Sequence, residues 1–88
     1  MKKIGFVGKP HGNNGVVKVI PEKGMADLLL KNGSAIVVSP EGYISTLENI
    51  KEYNRGRFLG TISEFAKRED VKGFQGGTVM INAYQEEI

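Results

Sequence analysis

The sequence predicts an all-β fold, a six-stranded antiparallel β-barrel carrying two short helices. Three observations predict it. Short segments rich in β-branched and aromatic residues recur along the whole chain, and glycine, proline or asparagine punctuates them. The twelve glycines among 88 residues are about twice average usage, which argues for many tight turns. Finally, a chain this short folds as one domain with a thin core, burying roughly 60–65% of its unfolded surface, and closing the sheet removes its exposed edges.

Ile4–Gly8 and Val16–Ile20 read as the first two strands, joined by a glycine- and asparagine-rich loop. Pro21 ends the second, because it has no amide to donate. Met25, Leu28 and Leu29 then fall at helical spacing and Asn32-Gly33 supplies a left-handed stop. A helix over Met25–Lys31 follows, with its apolar face plugging one end of the core. Ser34–Ser39 is a near-continuous apolar strand, and Pro40-Glu41-Gly42 turns it back. Tyr43–Tyr53 is a long strand whose apolar phase slips between Ile44 and Leu47, as a bulge would require. Asn54-Arg55-Gly56 turns into Arg57–Ser63, which sets Phe58, Gly60 and Ile62 on one face. Glu69-Asp70 ahead of Val71 and Phe74 marks a second short helix over Lys67–Phe74, since acidic residues complement a helix N-terminus. Thr78–Ala83 is the last strand and Tyr84–Ile88 a polar tail. Neither an internal repeat nor an interdomain linker is visible.

Net charge is +2, unevenly placed: residues 1–31 hold six lysines against two acidic side chains, while residues 32–88 hold six basic and eight acidic ones. A basic N-terminal part suits an anionic partner such as RNA, although a split of this kind is also ordinary surface chemistry. With no cysteine, disulfides and thiolate metal sites are excluded, and a small bridge-free domain fits a reducing cytoplasm. No apolar run approaches membrane-spanning length, and the start Met1-Lys2-Lys3 leads into too short an apolar stretch for a signal peptide.

Catalytic chemistry is poorly provided for. His11, the single histidine, has no cysteine partner and no serine in a nucleophile elbow, and no carboxylate cluster has metal-ligand spacing. We therefore expect no catalytic residue, no metal and no cofactor. The stretch Gly8-Lys9-Pro10-His11-Gly12-Asn13-Asn14-Gly15 has amides that could cradle phosphate, yet it lacks the P-loop pattern and opens no long helix. Its plainer reading is a demanding connection in which Gly8, Gly12 and Gly15 permit the backbone path and Pro10 stiffens it. His11 in such a loop orders the turn, and its ring also offers a donor, an acceptor and a stacking surface. Tyr53 with Arg55 and Arg57 comes nearest to the interleaved aromatic and basic residues of an RNA-binding sheet.

One stretch carries a resemblance. Gly5-Phe6-Val7-Gly8-Lys9-Pro10-His11-Gly12, then Gly15-Val16-Val17-Lys18-Val19, resembles the N-terminal signature of the RimM family of ribosome maturation factors. That signature runs glycine, apolar residue, variable positions, histidine-glycine, two residues, glycine, then a valine-rich strand with a basic residue. Leu59-Gly60-Thr61-Ile62, Arg68-Glu69-Asp70-Val71 through Phe74-Gln75-Gly76, and Val79-Met80-Ile81 before Glu86-Glu87-Ile88 follow the family in order. The chain departs from the family at Asn13-Asn14, where an apolar and then a basic residue are usual. The PRC-type barrel that follows in family members is not expected within residues 1–88, which read as a single N-terminal-like domain, either excised or an unusual short relative.

The resemblance implies a barrel akin to those of translation factors and a non-catalytic role in maturing the small ribosomal subunit and its rRNA. It implies binding at the subunit head, to a ribosomal protein there and to rRNA, by a cytoplasmic monomer. The contact candidates are Lys9, His11, Asn13, Asn14 and Lys18. Two other readings stay open: a stand-alone protein- or RNA-interaction barrel with no ribosomal role, and a fragment of a flavin- or nucleotide-binding enzyme.

Overall fold

The computed structural model describes residues 2–12, 15–62 and 71–82. Six strands appear: β1 (Lys2–Pro10), β2 (Val16–Pro21), β3 (Ala35–Val38), β4 (Ile44–Asn54), β5 (Arg57–Ile62) and β6 (Thr78–Ile81), with one helix, α1 (Ala26–Asn32), between β2 and β3. They close into the six-stranded antiparallel barrel that the sequence predicts, in the order β1-β2-β5-β4-β3-β6. Among the described strands, closure leaves no ladder edge open to a second chain.

Inward-facing side chains from the six strands meet in one cluster. Ile4, Val17, Val37, Leu47, Ile62 and Val79 are fully enclosed at its centre. Leu29 of α1 is likewise fully buried in this cluster, and Met25, Ala26, Leu28 and Leu30 pack against it, so the helix plugs the barrel end. Gly33 stops α1 at φ 70°, its N–H donating to the Leu29 carbonyl at 3.1 Å.

Two local expectations shift. The phase slip in β4 lies beyond Leu47: Ser45, Leu47 and Ile50 are buried, the register against β5 breaks between Glu48 and Lys51, and Asn49 has φ 53°. Ile44 instead pairs in register with Val38 and is 70% exposed. An apolar residue at a strand start thus imitated a core position. Of the second helix expected over 67–74, residues 67–70 lie outside the described residues; Val71 and Lys72 are helical and 73–76 are turn. Ser63, Ala83 and the tail also lie outside them.

Candidate functional site

The glycine-rich loop is shorter than the sequence implies, because β1 continues through Lys9 to Pro10. Pro10 is buried opposite Val17, past a register shift that begins at Val7. The His11 N–H donates to the Val16 carbonyl at 2.8 Å and closes the loop at its base. Gly12 and Gly15 both stand at φ 76°, a conformation that side chains strain against. The Ile62 N–H donates to the Gly15 carbonyl at 3.0 Å, tying the loop to the end of β5. Gly8 serves differently from expectation: its φ is ordinary, and what it provides is room. A Cβ there would lie 3.2 Å from the Lys18 Cβ and 3.3 Å from the Lys18 carbonyl across the hairpin. Asn13 and Asn14 lie outside the described residues.

The loop sets His11 beside β4. Its ring centroid is 5.2 Å from that of Tyr53, with the planes inclined at 52°, a tilted aromatic pair. Next to this pair, register places three residues in one row across the barrel: Lys18 of β2 opposite Leu59 of β5, and Leu59 opposite Lys51 of β4. Leu59 is 6% exposed yet stands outside the interior cluster, because its neighbours Phe58 and Gly60 are the ones facing inward. It is a buried leucine on the outer wall, flanked by two lysines whose methylene stems are suited to covering it. Leu59→Ala should therefore cost about 2 kcal/mol, the low end for a buried leucine, since flexible stems can close over the gap. Urea denaturation of the two proteins measures the difference.

Two shallow grooves flank this row. One, of about 440 Å3, runs along Lys18, Ile20, Tyr53 and Arg57. The other, of about 660 Å3, is lined by His11, Lys51, Leu59 and Thr61 among others. Lys18, Arg57, Lys51 and His11 face these grooves, and among the described residues no carboxylate lines either. Lys9 is exposed at the end of β1 and lines neither. Around the wall, Phe6 and Ile20 are exposed register partners; the Lys3 ammonium lies 3.9 Å over the Phe6 ring and 3.7 Å from Glu22. Among the described residues no set of three His, Asp or Glu is placed to hold a metal, and no helix is long and apolar enough to cross a membrane.

The model of the RimM N-terminal domain matches residues 2–86. The chain belongs to that family. No curated protein matches it. Among solved structures it is similar to a 16S ribosomal RNA processing protein RimM of Pseudomonas aeruginosa, with a TM-score of 0.75 and 20% identity. The match covers 94% of this chain and 51% of that one, so the chain spans about half the length of the protein it resembles. At that identity the likeness is one of fold, and it agrees with the barrel.

In this RimM domain the structure brings together some of the expected contact residues and separates others. His11 and Lys18 flank one outer face, while Lys9 stands apart at the strand end. Reading the sequence missed Lys51 and Leu59, and gave Tyr53 without its partner His11. One signal was available for Leu59: it is a large apolar residue directly between Phe58 and Gly60, which already occupy the inward phase of β5.

Proposed function

We propose that this RimM-family domain is a non-catalytic assembly factor of the small ribosomal subunit, aiding maturation of its rRNA by binding alone. Membership of the RimM family over residues 2–86 carries this reading. The outer grooves of β2, β5 and β4 support it, because cations line them with no carboxylate among the described lining residues, which suits a phosphate-rich particle. The domain works as a cytoplasmic monomer, needs no cofactor, and docks at the subunit head on rRNA and a ribosomal protein. Lys9 and Lys18 supply charge, His11 holds the loop against Tyr53, and Asn13-Asn14 form part of the contact.

Sedimentation of the full chain with immature and mature small subunits tests the reading. Co-sedimentation with the immature particle is the expected result; absence from both particles refutes it. Lys9→Ala should weaken binding and lower the slope of log K against log salt by about 0.7 to 0.9, the contribution of one neutralised phosphate. An unchanged slope removes Lys9 from the contact.

A second reading has its own observation. Tyr43 and Ile44, 68% and 70% exposed, adjoin each other at the β3–β4 turn and offer an apolar contact to a protein partner with no ribosomal role. Binding through them would be nearly independent of salt, which the same salt series reads.

A further inference from the structure

We propose that the groove along Lys18, Ile20, Tyr53 and Arg57 takes an unpaired nucleotide of single-stranded RNA, its base on the Tyr53 ring and its phosphate between Lys18 and Arg57. The inference deepens the ribosomal reading and rests on it for why RNA is the anion at hand. Three observations carry it. First, the groove has an aromatic wall held in place before any ligand arrives: Tyr53 is half-buried and packed 5.2 Å from His11. A pre-set ring presents a stacking surface at small entropic cost, and any base can use it.

Second, the charge is one-sided. Lys18 and Arg57 line the groove, and among the described residues no acidic side chain lines it. Glu52 is held at the β4–β5 turn, where its Oε2 accepts the N–H of Gly56, a residue of the groove, at 2.9 Å. Glu22 is drawn toward Lys3. Third, the space fits. About 440 Å3 lies within the roughly 300–1,000 Å3 of small-molecule sites. The second groove, with His11 and Lys51, begins on the far side of the His11–Tyr53 pair. A strand continuing past Tyr53 would meet a further cation there. A base within a duplex is already stacked on its neighbours and has no face free for the Tyr53 ring, so the site calls for unpaired RNA.

Fluorescence anisotropy with labelled RNA of about eight nucleotides, the scale of a small barrel's single-strand site, tests the groove. The probes are oligouridylate, oligoadenylate and a duplex of equal length. The single strands should bind more tightly than the duplex. Tyr53→Ala should weaken binding about tenfold with no change in salt slope, and Tyr53→Phe should bind as wild type. Lys18→Ala and Arg57→Ala should each lower the slope by about 0.7. Because Tyr53→Ala also removes the packing partner of His11, Ile20→Glu provides an independent variant: this side chain is 55% exposed, lines the groove and lies outside the core. It should weaken the single strand as well. Equal affinity for duplex and single strand, or no effect of both Ile20→Glu and Arg57→Ala, overturns the proposal.

Sedimentation of Ile20→Glu with immature small subunits separates the two claims. If wild type and variant sediment equally, the groove fails and the assembly role stands. If wild type does not sediment, the assembly role fails and the oligonucleotide result alone decides the groove. Loss of the variant from particles while wild type binds no oligonucleotide makes the occupant a ribosomal protein, which also overturns it.

Discussion

Gly77→Ala is expected to destabilise the barrel by about 3 kcal/mol, the upper part of the range for overpacking. Gly77 is buried where the 73–76 turn passes into β6. A Cβ there would collide with the backbone carbonyl of Val38 and lie 2.8 Å from that of Phe74. Neither obstacle is a side chain that can rotate away. Val38 belongs to the ladder between β3 and β6, and the Phe74 carbonyl accepts the N–H of Gly77 itself at 2.8 Å. Gly77 also accepts from the Val7 N–H at 3.0 Å, which helps seal β6 to β1. Any shift that admits the methyl group breaks the closure. Gly73→Ala is the control, since its Cβ would meet nothing within 4 Å and its φ is ordinary. It should be neutral or stabilising by about 0.5 kcal/mol. Urea midpoints for the two variants test the contrast, and equal midpoints would refute it.

The second large effect concerns the Gly60–Leu47 contact inside the barrel. Leu47 is fully enclosed, and its side chain fills the space that a residue at position 60 would otherwise take. A Cβ on Gly60 would lie 2.7 Å from the Leu47 Cδ1 and 2.8 Å from its Cγ. Leu47→Ala should cost about 4 kcal/mol through the cavity it leaves, and Gly60→Val about 3 kcal/mol through overpacking. Combined, they should cost less than their sum by at least about 1 kcal/mol, because each removes the other's defect. Strict additivity in a double-mutant cycle would show that the contact does not limit packing. Leu59→Ala, on the outer wall of the same strand, should cost only about half as much as Leu47→Ala.

The fold was largely legible because its determinants are local. The β-branched content of Ile4–Gly8 and Val16–Ile20, the Gly33 stop after α1 and the Pro40-Glu41-Gly42 turn each specify backbone from neighbouring residues. The bulge at Asn49 was misplaced because exposed Ile44 has the same apolar character as a core residue, and only its register with Val38 shows where it stands. The loop was legible as a feature, yet the role of Gly8 depends on how closely Lys18 approaches from the opposite strand. The site was less legible still. His11, Lys18, Lys51, Tyr53 and Leu59 come from four places in the sequence. They form one surface only through the β2-β5-β4 register, which no single-segment pattern encodes.

Site-specific photo-crosslinking to immature small subunits tests the functional face most directly. A photoreactive residue placed at Lys9, beside the histidine loop, should crosslink to the particle. The same residue placed at Ile44, which is 70% exposed and opens β4 at the opposite end of that strand from Lys51 and Tyr53, should not. Crosslinks from position 44 with none from position 9 would contradict the assignment of the contact to the histidine loop and the part of the β2-β5-β4 wall beside it.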